Sequence, residues 1–243
     1  MPYDAQDFRY KPFRYNDVLI REDTSGRVAA GCVPSQERLL PVLSYRMHFK
    51  RALDVMLVLA SAVFVLPLIV VFALLVARDG HSPFYTQMRV GLNGRHFRIW
   101  KLRTMVPNAE AALQAYLDHN PALRAEWEAT QKLKRDPRVT RVGRFLRKTS
   151  LDELPQLWNV LNGTMSLIGP RPMMPQQQSL YPGESYYRLR PGISGFWQVS
   201  DRNRCSFRDR AIFDDAYDRQ ISLATDLLVL LRTVWVVLRG TGH

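Results

Sequence analysis

Residues 55–77 read VMLVLASAVFVLPLIVVFALLVA, without one charged side chain. As a helix this run is about 34 Å long, enough to cross a hydrocarbon core of roughly 30 Å. A helix buried in a soluble core usually keeps some polar face, so the run predicts membrane insertion. Pro67 stands in its middle, where it removes a backbone donor and bends the axis. Arg46, Lys50 and Arg51 precede the run, and Arg78, Arg89, Arg95, Arg98, Lys101 and Arg103 follow it. Cationic flanks stay on the cytoplasmic side, so both obey that rule only if the helix enters one leaflet, breaks near Pro67 and returns. A single Pro-kinked span is the alternative, because membranes tolerate such prolines. Asp54, at the interface end, is expected to be structural, pairing with Lys50 or Arg51 or acting as a helix N-terminal acid.

Taken whole, the chain is ordinary in its 47% apolar content, and its 243 residues suffice for one domain with an appended segment. Lys and Arg outnumber Asp and Glu by 34 to 22, a formal charge of +12. That excess suits nucleic acid, anionic lipid or a polyphosphate substrate without choosing among them. Cys32 and Cys205 are the only cysteines and form no CxxC, so a reducing compartment is expected. Residues 1–45 lack an apolar core followed by a cleavage-like site, and no cleaved signal is expected. Gly26, Gly31, Pro34 and Pro41 discourage a long element there, while Phe8, Tyr10, Phe13 and Tyr15 supply apolar mass for docking.

Downstream, PFYTQMRVGLNGRHFRIWKLRTM (83–105) reads as two strands around an Asn93-Gly94 turn, a hairpin near the membrane surface. Its basic residues, Lys101 and Arg103 among them, could snorkel or reach a phosphate. Pro107–Gln131 reads as helix broken at Pro121. From Lys132 to Lys148 eight basic residues face only Asp136, with Arg138, Arg141, Arg144 and Arg147 at every third position. On a helix these lie near one side; a solvated face or a pyrophosphate ligand would each explain them.

The basic run leads into TSLDELPQLWNVLNGTMSLIGPRP (149–172). Ser150 with Glu153 fits a capping box that puts Asp152 in the first turn, a complete structural account of both acids. Pro155 complicates it: the helix either bends there or starts again. The functional account uses the same residues. Free backbone donors, the helix dipole and Arg147 would keep Asp152 ionised and attract a phosphate, and an ionised carboxylate can attack phosphorus. Glu153, pointing about 100° away on a helix, could ligate Mg2+. The rigid Gly169-Pro170-Arg171-Pro172 turn sets Arg171 for a bidentate phosphate contact.

KRALD (50–54), the Pro-centred run, FRIWKLRTM (97–105), LRKTSLDELPQLWNVLNGTMSLIGPRP (146–172), RPGISGFWQVS (190–200) and DLLVLLRTVWVVLRGTG (226–242) together resemble the bacterial sugar transferase family, the monotopic polyprenyl-phosphate phosphoglycosyl transferases. The likeness covers about Arg46–His243 and is greatest to exopolysaccharide-initiating members that carry galactose or glucose phosphate. It implies a re-entrant helix with both ends cytoplasmic, at the bacterial inner membrane. It also implies Asp152 as nucleophile toward the β-phosphate of a UDP-sugar, Glu153 as the Mg2+-associated acid, and Arg147 and Arg171 near phosphate. UMP leaves, and polyprenyl phosphate then takes the phosphosugar. Where relatives often carry glycine before Arg202, a further candidate phosphate contact, this chain has Asp201; a surface-turn substitution or altered substrate preference would each account for it.

The resulting expectation is an α+β, membrane-associated monotopic domain. An extension at 1–45 precedes a re-entrant region at 46–80, with Lys50, Arg51, Asp54 and Pro67 as its membrane motif, and a catalytic domain at 81–243 with a small β-hairpin and amphipathic interface helices. Ile221–Leu238 is apolar but holds Asp226 and Arg232, which argues for an interface-lying or domain-packed helix over a crossing. Asp214 and Asp215 read as ordinary helix-surface acids. The rival function is a basic, membrane-tethered nucleic-acid-binding or regulatory protein, but no recognition helix or stacking platform is evident, so no specific nucleic-acid partner is expected. A membrane scaffold would leave the Arg147–Asp152–Glu153 grouping unexplained. Donor sugar and homo-oligomeric state stay open.

Overall fold

The computed structural model describes residues 45–130, 133, 136–200 and 207–238. Residues 1–44, with Cys32, and also Gln131, Asp201, Arg202 and Cys205, lie outside the described residues, and with them the expectations placed there.

The described chain is mostly helical, with two small sheets. A π-helical turn, Tyr45–Phe49, leads into helix α1, Lys50–Val76, which continues through Pro67. Strands β1 (Phe84–Val90) and β2 (His96–Leu102) form an antiparallel hairpin. Helices α2 (Ala109–His119), α3 (Pro121–Thr130) and α4 (Arg141–Thr149) follow, then a 3-10 turn at Leu151–Glu153 and helix α5 (Gln156–Leu161). Strand β3 (Ser166–Ile168), the short helix α6 (Ser185–Arg188), strand β4 (Gly192–Ser194) and the short helix α7 (Phe196–Val199) lead to α8 (Arg210–Gln220) and α9 (Leu223–Leu238).

Helix α1 is long and apolar enough to cross a membrane. Asp54 and Val58 are its only buried residues, while Leu59, Val63, Phe64, Leu66 and Leu74 are exposed. Both ends are fastened to the rest of the fold. At the start, Lys50 Nζ lies 2.6 Å from Asp226 Oδ2, and the Arg51 guanidinium donates to the carbonyls of Val160 and Leu161. Asp54 accepts from Ser166 Oγ at 2.7 Å and the Leu167 amide at 3.2 Å. Asp54 forms no direct bond with Lys50 or Arg51: Lys50, one turn earlier on the same face, bonds Asp226 and acts on Asp54 through its field, while Arg51 turns to the carbonyls of α5. At the other end Asp79 receives two 2.7 Å bonds from Arg103, which also donates to the carbonyls of Val76 (3.3 Å) and Ser82 (2.8 Å).

The hairpin forms as its turn chemistry demands. Asn93 (φ 55°) and Gly94 (φ 74°) both take left-handed backbone, which Asn and Gly tolerate best. Tyr85, Gln87 and Arg89 oppose Lys101, Ile99 and Phe97, so these side chains share one face. Asn159 on α5 reads the β2 backbone with its amide, accepting from the Trp100 N–H at 3.0 Å and donating to the Arg98 carbonyl at 2.8 Å. This contact places α5, and the turn just before it, against the strand.

Strands β3 and β4 pair in parallel, Ser166 with Gly192 and Ile168 with Ser194. Just beyond, a Cβ on Gly169 would stand 2.2 Å from the Arg190 carbonyl oxygen, so the backbone approach itself requires glycine at the start of the GPRP turn. Apolar packing gathers around Ile168, Leu189, Tyr217 and Val229; around Val58, Phe97, Ile99 and Met165; and around Val90, Met173, Tyr181 and Tyr186.

Helix α9 packs on the domain by one side. Asp226 is buried and accepts from Tyr45 Oη (2.7 Å) and Tyr217 Oη (2.6 Å) as well as Lys50. Leu223, Leu227, Leu231, Val234 and Trp235 remain exposed at helical spacing, an apolar outer stripe. Asp214 corrects the surface-acid reading: it is buried and accepts from Tyr181 Oη at 2.7 Å.

Candidate active site

Helix α4 ends at Ser150, whose φ of 57° turns the chain sharply into Leu151–Glu153. The expected capping box is absent. Ser150 closes the preceding helix through its own N–H to the Arg147 carbonyl (3.2 Å), and makes no side-chain cap to the following turn. Pro155 then begins α5 anew, since a residue without an N–H is tolerated at a helix start. The sharp exit from α4, with the Asn159 anchor on β2, presents Asp152 and Glu153 to the hairpin face carrying Lys101.

Lys101 Nζ donates to Glu153 Oε1 at 2.7 Å and lies 3.8 Å from Asp152 Oδ2. Arg171, held in the GPRP turn, donates to the same Glu153 oxygen at 3.4 Å. Arg147 Nε is bonded to Thr104 Oγ1 at 2.9 Å and acts on Asp152 through its field. These side chains line a cavity of about 840 Å³ together with Tyr85, Gln87, Arg89 and Arg103. Arg103 reaches the wall, but its guanidinium is occupied by Asp79 and backbone carbonyls. Of the arginines spaced by three, Arg138 precedes α4, is bound by Asp136 at 2.6 Å and lines the same cavity as Arg147, while Arg141 and Arg144 are exposed on α4.

The two acids are electrostatically unlike. Burial pushes the Asp152 carboxyl above the ordinary range; Lys101 opposes this, Glu153 adds to it, and Arg147 opposes it again. Burial also acts to raise Glu153, yet Lys101 and Arg171 outweigh it and hold that group at about 2. Arg147 acts on Asp152 in the expected direction, but desolvation outweighs it and the net displacement of that carboxyl is upward. One acid is a fixed anion and its neighbour a more basic carboxylate, the pattern in which adjacent groups divide their roles.

Sequence reading passed over Tyr85, Gln87 and Thr104, and counted Arg89 only as a flanking charge. The signal that finds the β1 residues is register: once Asn93-Gly94 is the turn, Tyr85 falls opposite Lys101 and Gln87 and Arg89 follow on the same face.

A second cavity, about 490 Å³ and almost wholly apolar, lies between α1 and the hairpin's other face, walled by Val58, Leu66, Phe84, Trp100, Leu154 and Trp158. Leu154 directly follows Glu153, so the apolar space and the charged one meet at the Asp152–Glu153 turn.

The chain is 46% identical over 195 residues to the UDP-galactose-lipid carrier transferase of Erwinia amylovora, covering 79% of this chain and 41% of that protein. It is 43% identical over 196 residues to the exopolysaccharide production protein ExoY of Sinorhizobium fredii, covering 79% and 87%. It is 44% identical over 195 residues to the undecaprenyl-phosphate galactose phosphotransferase of Salmonella typhimurium, covering 79% and 41%. The chain thus spans about two fifths of the first and third of these relatives and most of the second. The family described as bacterial sugar transferase matches residues 45–240, which include both ends of α1, the hairpin, the two acids and the GPRP turn, and the chain belongs to that family.

Proposed function

We propose that this protein transfers a sugar 1-phosphate from a UDP-sugar to undecaprenyl phosphate, releasing UMP, as the initiating step of exopolysaccharide synthesis. The observation that carries the reading is the Asp152–Glu153 pair on the wall of a cation-lined cavity beside an exposed apolar helix. The names of the relatives supply the substrate classes.

In the first half-reaction an Asp152 carboxylate oxygen attacks the β-phosphorus, the bond from that phosphorus to the bridging oxygen breaks, and UMP departs with the bridging oxygen. In the second, a phosphate oxygen of the lipid attacks the same phosphorus, the bond to Asp152 breaks, and the carboxylate is restored. One diphosphate link is exchanged for another, so no external energy source is required. The raised affinity of Asp152 for a proton makes it a stronger nucleophile once ionised. Lys101, Arg147 and Arg171 supply the positive field that draws in phosphates and steadies charge as the bridge breaks.

The residues fit Mg2+ shared with a substrate. No group of three or more metal-ligating side chains occurs among the described residues, which argues against an all-protein cage, while Mg2+ commonly uses one or two carboxylates together with substrate phosphates. Glu153 is held anionic and would hold the ion, with Asp152 beside it. When bound, Mg2+ would neutralise phosphate oxygens.

Helix α1 is read as re-entrant, with Pro67 at depth and the catalytic domain at 81–243 on the cytoplasmic face of the inner membrane. Lys50, Arg51 and Asp54 at one end and the Asp79–Arg103 pair at the other tie both ends to one domain, an arrangement that favours one side over a crossing. The exposed stripe of α9 suits the same bilayer surface.

The test is to incubate detergent-solubilised protein with Mg2+, undecaprenyl phosphate and a panel of UDP-sugars led by galactose and glucose. UMP and lipid-linked diphosphosugar should appear together; release of UDP instead would refute the assigned bond cleavage. Asp152→Asn should form no covalent phosphosugar adduct. Labels at positions 46 and 80 should report the same side of the membrane, and opposite sides would refute re-entry.

A further inference from the structure

Trp197 gathers two cations around one indole. Arg210 Cζ stands 4.2 Å from its ring centre and Arg171 Cζ 5.9 Å, while Arg210 also covers Phe207 at 4.7 Å. Arg89 joins them from β1: burial works against its charge, and Arg171 is its strongest repulsive neighbour. Arg210 is drawn down to about 10 by burial and by Arg171, with Asp214 opposing and Arg89 adding to the repulsion. Two nearby carboxylates are bonded elsewhere, Glu153 by Lys101 and Arg171, and Asp214 by Tyr181.

The donors tell the same story. Arg89 Nε, Arg210 Nε and Trp197 Nε1 are buried without a hydrogen-bond partner among the described residues. Such groups can only donate, and buried donors are rarely left unpaired in folded proteins. Arg89 directs its terminal nitrogens to the Pro172 carbonyl (3.3 Å) and Gln87 Oε1 (2.6 Å), so Nε is its unpaired donor, and clustered guanidiniums with such unpaired N–H groups are relieved by an oxyanion. Arg89 and Arg171 also line the cavity that contains Asp152.

We infer that Arg171 and Arg210, set over Trp197, and Arg89, beside Arg171 on the cavity wall, form a second anion centre that takes a phosphomonoester. Resting on the transferase reading above, that group is the nucleoside monophosphate that leaves or the lipid phosphate that enters. The stereochemistry of displacement gives both the same place. A leaving group departs in line with the attacking carboxylate, on the opposite side of phosphorus. The acceptor must then attack opposite the carboxylate, from the side just vacated. One subsite beyond Glu153 from Asp152 therefore serves both half-reactions in turn.

The test uses the full chain in detergent, with Arg89→Gln and Arg210→Gln, and binding measured by equilibrium dialysis of UMP, uridine and a short-chain prenyl phosphate. Loss of a charge-assisted contact should weaken phosphomonoester binding about tenfold or more. Uridine binding should be unchanged, and Arg210→Lys should fall between wild type and the glutamine variant. Weakening of UMP alone assigns the centre to the nucleotide, of the prenyl phosphate alone to the acceptor, and of both to shared use. If both ligands bind the glutamine variants within twofold of wild type, the inference is overturned. Should a glutamine variant lose its thermal unfolding transition, Arg89→Lys and Arg210→Lys carry the comparison by the same criteria. A wild-type protein that transfers no phosphosugar would sink the transferase reading, and these binding measurements would still judge the arginine centre.

Discussion

Replacing Asp226 by leucine should separate α1 from α9. The carboxylate is 2% exposed and accepts from Lys50 Nζ at 2.6 Å, Tyr217 Oη at 2.6 Å and Tyr45 Oη at 2.7 Å. The Lys50 side chain is only 12% exposed, so Asp226→Leu strands an ammonium in a poorly hydrated place. Removing one partner of a buried pair costs about 3–5 kcal/mol, with two orphaned tyrosine hydroxyls pressing the value to the upper part of that range. For a body of this size each kcal/mol lowers the thermal midpoint by about 2–4 °C, so a fall of about 6–20 °C is expected. Intrinsic-fluorescence melting in detergent measures it. Asp226→Asn, which keeps an acceptor for the hydroxyls, should fall less. Lys50→Met combined with Asp226→Leu should recover at least about 1 kcal/mol relative to the sum of the single changes, because the residual cost is the unpaired charge. A single Asp226→Leu within 2 °C of wild type, or strict additivity in the double variant, would refute the argument.

Other substitutions probe the charged cavity and its supports. Glu153 raises the proton affinity of Asp152, so Glu153→Gln should move the acid limb of single-turnover adduct formation to lower pH, whatever it does to the rate; an unmoved or rising limb contradicts the coupling. Asp214 is pushed up to about 7, chiefly by burial, with Tyr181 and Arg210 opposing and Asp215 adding. Because the folded state holds this proton more tightly than the unfolded chain, stability should decline as pH rises from about 4 to 7. Asp214→Asn should flatten that decline and melt higher than wild type at pH 8; parallel melting curves across the range would exclude it. A Cβ on Gly143 would stand 2.0 Å from the Thr104 carbonyl oxygen, so Gly143→Ala should cost about 1–3 kcal/mol or more and, by displacing the Thr104 contact to Arg147, slow transfer as well. Unchanged melting and turnover would show that α4 yields freely.

Features encoded by neighbouring residues were readable in advance. An uncharged run, an Asn-Gly pair between alternating segments and a proline after a helical stretch each act over a few positions, and the first helix, the hairpin and the break before Pro121 appear where those residues stand. The acids and the GPRP arginine were legible for the same reason, as compact motifs now found around Lys101. What local pattern did not reveal was partnership. Ser150 and Glu153 satisfy the spacing of a capping box, yet Glu153 is drawn away by Lys101, 52 positions earlier, and Ser150 ends the previous helix. Asp54 looked outward to Lys50 and Arg51 but is claimed by Ser166, and Asp214 became an interior group through Tyr181. Each of these outcomes depends on distant chain segments meeting, which residue spacing alone does not specify.

The bond between Lys50 and Asp226 spans 176 positions of sequence, and that between Asp54 and Ser166 spans 112. During synthesis the apolar helix therefore emerges long before either of these two partners exists. On the membrane reading proposed above, its lipid contacts form first, while Lys50 waits among headgroups for a counter-charge made only when α9 leaves the ribosome. Locking of α1 is in this sense timed by α9: on that reading, a nascent chain halted at residue 222 should already be bound to the bilayer and yet remain unlocked.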